Sequence, residues 1–181
     1  AGRQDRATGR HPALRLRAGG VHVTVHDRLH GEVTGEADDI VVRRNDGVPA
    51  YNLAVVVDDA AQGISDVVRG DDLLSVTPSQ ALLGDLLGFE RRSYLHLPLV
   101  VGVDGQRLAK RHGAITRGDL AGTGCDDARL RDLLAASLGL IDWGDHAELD
   151  ELVDRFSVSR LPTTPWVFAT DARSDLPGSA R

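Results

Sequence analysis

The chain has 181 residues, 41% of them hydrophobic, a formal net charge of -6 and a single cysteine, Cys125. That length supports one full core and a small second one, and the negative balance excludes a surface that attracts nucleic acid as a whole. One thiol excludes an internal disulfide and a cysteine-built zinc site, no apolar run approaches the roughly 20 residues of a membrane span, and the polar start is no signal peptide.

Residues 1 to 20 are rich in Arg, Gly and Ala and read as a loop or frayed edge. Val21–His26 alternates and is β-branched, which predicts a strand with one exposed face. His22 and His26 share that face with Thr24, and His30 follows at the same spacing. On a strand that span is too long for one ion, so they read as surface histidines and no metal site is expected. Gly31 to Asp39 is polar and turn-rich. Ile40–Arg44 is a second short strand, closed by the hairpin signal Asn45-Asp46-Gly47. The first fifty residues therefore predict antiparallel β structure.

From Ala50 the pattern changes. Tyr51–Val57 is a continuous apolar run and predicts a strand covered on both faces. Asp58-Asp59 reads as its end and as the cap of a short helical turn stopped by Gly63. Ile64–Val68 predicts a strand that delivers Arg69 at its end. Asp71-Asp72 or Thr77-Pro78 opens a helix through Leu87 with Gly88 as the stop, and His96–Val101 predicts another strand. Strand, helix, strand in this order predicts a parallel sheet whose ligand edge lies at the strand C-termini. After Gly118 the chain turns helical. Asp126–Leu138 is amphipathic with Gly139 as a stop, and His146–Phe156 carries Leu149, Leu152, Val153 and Phe156 on one stripe. Ser157–Val167, with Pro162 and Pro165, reads as an extended tail packing Trp166 and Phe168, and Asp171–Arg181 as a disordered end.

Chemistry concentrates in Val103–Gly113, where an Asp-Gly turn leads into a cluster of cations. Lys110 is the only lysine of the chain. A compact ammonium on a loop after a strand suits phosphate, although charge alone favours a solvated basic turn. Arg69 offers planar, bidentate binding of a carboxylate, against an ion pair to Asp71 or Asp58. Tyr51 reads as a core aromatic, His112 as a bystander, and Cys125 as a plain thiol.

Several ordered blocks carry a resemblance. They are Asp46–Asp59 (DGVPAYNLAVVVDD), Val67–Asp72 (VVRGDD), Thr77–Gln80 (TPSQ), His96–Leu99 (HLPL) and Arg107–Gly113 (RLAKRHG). Together they resemble the glutamyl-tRNA synthetase family of class I aminoacyl-tRNA synthetases, most densely over residues 40 to 118. Within it the chain is most similar to the short glutamyl-Q tRNA(Asp) synthetase branch, which lacks helical anticodon-binding domains. Arg107–Arg111 looks like an altered "KMSKS" loop.

The resemblance implies an α/β fold: the second half of a Rossmann-type parallel sheet, preceded by a small antiparallel β segment and followed by a short helical region. It implies a β-rich remainder of the acceptor-type subdomain over residues 1–49, the C-terminal half of the catalytic domain over 50–118, and a stem-contact-like region and tail over 119–181. It further implies that Tyr51 and Arg69 bind glutamate, that Lys110 is catalytic, and that Arg107, Lys110 and Arg111 contact ATP. ATP with Mg²⁺, L-glutamate and tRNA(Asp) are the expected partners, for a monomeric cytoplasmic ligase with no membrane partner. Charging of tRNA(Glu) and a non-catalytic RNA-binding remnant are the other readings. The "HIGH" block and the zinc-site cysteines of relatives are absent from these residues, and a C-terminal portion of a longer synthetase is expected.

Overall fold

The computed structural model describes residues 11–108, 116–122 and 124–168. The chain divides into two compact units, Ala1–His96 and Leu97–Arg181.

In the first unit, β1 (Leu14–Arg15) pairs antiparallel with β4 (Val41–Arg43). A four-stranded sheet runs in the order β3-β2-β6-β5, from β2 (His22–Asp27), β3 (Gly31–Glu36), β5 (Asp66–Gly70) and β6 (Ser93–Leu97). Strand β2 forms as its alternation requires, burying Val23, Val25 and Asp27 while His22, Thr24 and His26 face solvent. It pairs antiparallel with β3 and parallel with β6, where Asp27 lies opposite Tyr94.

The turn-rich expectation for Gly31 to Asp39 is corrected by β3. Its sequence hides the strand because its large apolar side chains reduce to Val33. The ladder with β2 and a Thr24–Thr34 hydroxyl contact of 2.7 Å supply what propensity does not. Gly35 is small for a reason: a Cβ there would stand 3.0 Å from Pro78 Cγ.

Tyr51–Ala61 is an α-helix, α1, and the strand expected over Tyr51–Val57 does not form. The apolar run buries Val56 fully and half-buries Asn52, Leu53, Ala54 and Val55, a helical face rather than two sheet faces. That face meets Ile40 and Leu83 in one core cluster, and Gln80 donates to Asn52 Oδ1 at 2.9 Å. Asp58 and Asp59 lie inside the helix, and it ends at Gly63 (φ +69°) with Ile64 N–H donating to the Asp59 carbonyl at 2.9 Å.

Helix α2 (Thr77–Leu86) has Pro78 in its first turn and a stop at Gly88, φ +75°, as the sequence predicts. Its N-terminal half is buried, and Ala81 joins Val23, Val25 and Tyr94 in the main core. The strand expected as His96–Val101 is two strands interrupted at Pro98: β6, and β7 (Val100–Val101) of the second unit.

In that unit β7 pairs parallel with β8 (Trp166–Val167). The Asp104-Gly105 turn, Gly105 at φ +71°, folds the chain back so that Arg107 bridges to Val101. Helix α3 (Arg117–Gly122) precedes α4 (Asp127–Ser137), whose N-cap Asp126 accepts from Arg129 N–H at 2.9 Å. The helix α5 (Leu149–Arg155) starts with a reciprocal capping box between Glu148 and Glu151. Ala135, Ala136, Leu140, Ile141, Ala147 and Leu152 form the core of this unit. The expected tail contains a short turn of helix at Val158–Arg160, and Trp166 packs against Trp143 and Phe168.

Candidate functional site

The site of the first unit is assembled around Arg69, which β5 carries one residue before its end. The neighbouring strand β6 places His96 beside it, and the first residue of α2 supplies Thr77. Arg69 Nε donates to His96 Nε2 at 3.0 Å, and Nη2 donates to Thr77 Oγ1 at 2.8 Å. Thr77 in turn donates its hydroxyl to the Leu73 carbonyl at 2.8 Å. The guanidinium carbon lies 5.7 Å from the centre of the Tyr94 ring, within cation–π range.

Behind His96 stands Asp27, the last residue of β2, and both side chains are fully buried. Asp27 Oδ2 accepts from His96 N–H at 3.0 Å and meets His96 Nδ1 at 2.7 Å. Oδ1 accepts from the backbone N–H groups of Leu29 and His30 at 2.9 and 2.8 Å. A buried carboxylate is tolerated when its lone pairs are filled in this way.

Burial pushes the Asp27 carboxyl up, but the His96 ring bond and the three backbone N–H groups together hold it below the ordinary carboxylate value. Burial lowers the His96 pKa, the Asp27 bond opposes it, and the Arg69 charge pushes it down again, so the net direction is down. Arg69 is lowered by burial, opposed by Tyr94 and Tyr51 in their ionised forms and by Asp59 and Asp72, and stays a cation because its ordinary value is so high. Asp59 and Asp72 are among the carboxylates whose charge opposes that lowering. A cation braced along one edge by neutral acceptors is suited to hold an anionic ligand group along the other.

Tyr51 opens α1 and is 60% exposed, so it is not a core aromatic, and it lies near enough to Arg69 for its ionised form to act on the guanidinium. Arg107 is exposed on the second unit. Lys110, Arg111 and His112 lie outside the described residues. Cys125 is a buried thiol whose pKa burial pushes up, as expected of an unactivated cysteine. Asp27, His96 and Thr77 are functional candidates that sequence reasoning passed over. His96 and Thr77 each open one of the quoted blocks, which was the available signal; Asp27 gave none.

Among the described residues, no helix is long and apolar enough to cross a membrane. Residues 2–172 match the family model for tRNA synthetases class I (E and Q), catalytic domain. The chain is 52% identical over 164 residues to a glutamyl-Q tRNA(Asp) synthetase of Nocardia farcinica, covering 91% of this chain and 51% of that protein. It is 44% identical to one of Cutibacterium acnes, covering 90% and 46%, and 34% identical to a glutamate–tRNA ligase of Carboxydothermus hydrogenoformans, covering 91% and 35%. The chain thus spans about half the length of the first of these relatives. The crystal structure of a glutamate–tRNA synthetase from Elizabethkingia anophelis shares the fold with a TM-score of 0.63 at 21% identity, over 87% of this chain and 37% of that one.

Proposed function

Because the chain belongs to the tRNA synthetases class I (E and Q), a family of ligases, we propose that the protein carrying it activates glutamate with ATP and transfers it to queuosine of tRNA(Asp). The observation that carries the glutamate part is the Arg69 cradle, with one edge of the guanidinium held by His96 and Thr77. Its remaining Nη1 donors suit a glutamate carboxylate, and the exposed Tyr51 hydroxyl adds a directional bond. The acceptor part rests on the names of the relatives: those at 52% and 44% identity are glutamyl-Q tRNA(Asp) synthetases, against 34% for the glutamate–tRNA ligase.

In this reading the reacting carboxylate attacks the α-phosphorus of MgATP and displaces pyrophosphate. The queuosine hydroxyl then attacks the carbonyl of the glutamyl adenylate, which forms the ester and releases AMP. Lys110 offsets charge on the phosphates as the catalytic cation, and Arg107 and Arg111 contribute to ATP binding. This is positioning and charge stabilisation rather than acid–base chemistry. The three-part division at residues 49 and 118 goes with the same reading.

Glutamate-dependent ATP–pyrophosphate exchange, followed by transfer of labelled glutamate, tests it. Transfer to queuosine-containing tRNA(Asp) and none to tRNA(Glu) is expected. Charging of tRNA(Glu) would move the assignment to the glutamate–tRNA ligases, and tRNA binding without exchange would leave an RNA-binding protein. Lys110→Ala should lower adenylate formation roughly 100-fold while glutamate binding changes little, and an equal loss of both would remove its catalytic role.

A further inference from the structure

The His96 ring has only one consistent placement of its proton. Arg69 Nε carries a hydrogen at all accessible pH, so His96 Nε2, 3.0 Å away, must be an acceptor. The ring proton then sits on Nδ1 and is donated to Asp27 Oδ2 at 2.7 Å. Asp27 is filled from both sides: two N–H groups meet Oδ1, and the His96 N–H and ring edge meet Oδ2. A neutral amide at position 27 could not replace it. With its oxygen toward Leu29 and His30, its NH₂ would face His96 Nδ1, move the ring proton to Nε2, and set two donors head to head at Arg69.

We propose that Asp27 and His96 are a positioning pair that holds the imidazole as the Nδ1–H tautomer and so orients the Arg69 guanidinium for the glutamate carboxylate. The pair does not touch substrate. It acts through Nε, while Thr77 fixes Nη2 and the Tyr94 ring, stacked with the His96 ring at 6.0 Å between centroids, lies against the guanidinium. With two of its three nitrogens anchored, the guanidinium loses its freedom to rotate before ligand arrives, and a preorganised cation binds carboxylate more tightly than a mobile one. The titratable and charged groups around the ring are Arg69, Asp27, Tyr94 and His30, whose Nε2 lies 3.2 Å from the His96 carbonyl. The proposal rests on Arg69 as the glutamate-binding cation.

The test measures glutamate-dependent ATP–pyrophosphate exchange in the protein that carries this chain. Asp27→Asn and His96→Leu should raise the KM for glutamate about 10- to 100-fold, with kcat and the KM for ATP within about threefold. His96→Gln, whose amide oxygen can take the place of Nε2 before Arg69, should stay within about threefold of the parent in all three constants. Nitrogen NMR of the unsubstituted protein should show His96 Nδ1 protonated and Nε2 bare, an observation that needs no variant to fold. A bare Nδ1 would overturn the proposal, as would variants that lose thermal stability while the KM for glutamate stays put. Arg69→Ala separates the two claims. If it abolishes glutamate dependence while Asp27→Asn and His96→Leu do not, the pair has no positioning role and the glutamate reading stands. If Arg69→Ala leaves the KM for glutamate unchanged, that reading and the pair fall together.

Discussion

At the scale of single residues, the informative positions are polar side chains whose partners are distant in sequence. Asp27 and His96 are separated by 69 positions, yet each satisfies the other inside the first unit. Arg69 is legible from the sequence as a cation near the end of a strand, because a planar guanidinium at that place has a chemistry of its own. Asp27 is not legible, since an aspartate that ends a strand looks like any turn residue until its four donors are in view. Local capping is the opposite case. Asp126 before an amphipathic run is a sequence signal, and its carboxylate takes the Arg129 N–H. Asp126→Ala should cost about 1 kcal/mol, read as a shift in the denaturant midpoint followed by tryptophan fluorescence.

At the scale of elements, α1 and β3 show where local pattern fails. Val55-Val56-Val57 carries the β-branched bias of a strand, and the five apolar residues Leu53–Val57 cannot by themselves separate a buried strand from a buried helix. Contacts decide it: Val56 packs with Ile40 and Leu83, and the Asn52–Gln80 bond ties α1 to α2. The correction matters for the site, since a helix starting at Tyr51 leaves that tyrosine exposed within the field of Arg69. Strand β3 exists because β2 offers it a ladder and Pro78 packs against the bare Cα of Gly35. Gly35→Ala places a Cβ 3.0 Å from the Pro78 ring. A loss of roughly 1–3 kcal/mol is expected from such overpacking; a thermal midpoint no lower than the parent's would show that α2 yields without cost.

At the scale of the whole molecule, two histidines give the two units opposite responses to pH. The buried His96 has a folded pKa below its ordinary 6.5, so its contribution to the first unit is complete above that value and is lost as pH falls through the folded pKa. His146 meets Asp132 at 2.8 Å and Glu148 at 3.0 Å, and these bonds raise its pKa. Its contribution to the second unit is complete below 6.5 and is lost as pH rises through the raised value. His146 is 57% exposed, so its effect is small and weakened by salt. The chromophores separate the two. Trp143 and Trp166 both belong to the second unit, and Tyr51 and Tyr94 to the first. Tryptophan-monitored stability should therefore fall on going from pH 6 to 8, while tyrosine-monitored stability falls below about pH 6. His146→Gln should abolish the alkaline trend alone.

The sequence by itself determined the alternation of β2, the stop of α2, both ends of α4, and the ordered blocks through which the resemblance nominates Tyr51, Arg69, Arg107, Lys110 and Arg111. All of these are written in neighbouring residues: side-chain period, cap chemistry, glycine at positive φ, and ordered motifs. Tertiary structure alone decided that Tyr51–Ala61 is a helix, that His96 and Val100 lie in separate strands, and that Arg69 is braced by His96, Thr77 and Asp27. Burial and hydrogen-bond satisfaction depend on which segments become neighbours, and β2, β5, β6 and α2 meet at Arg69 only after the sheet has formed.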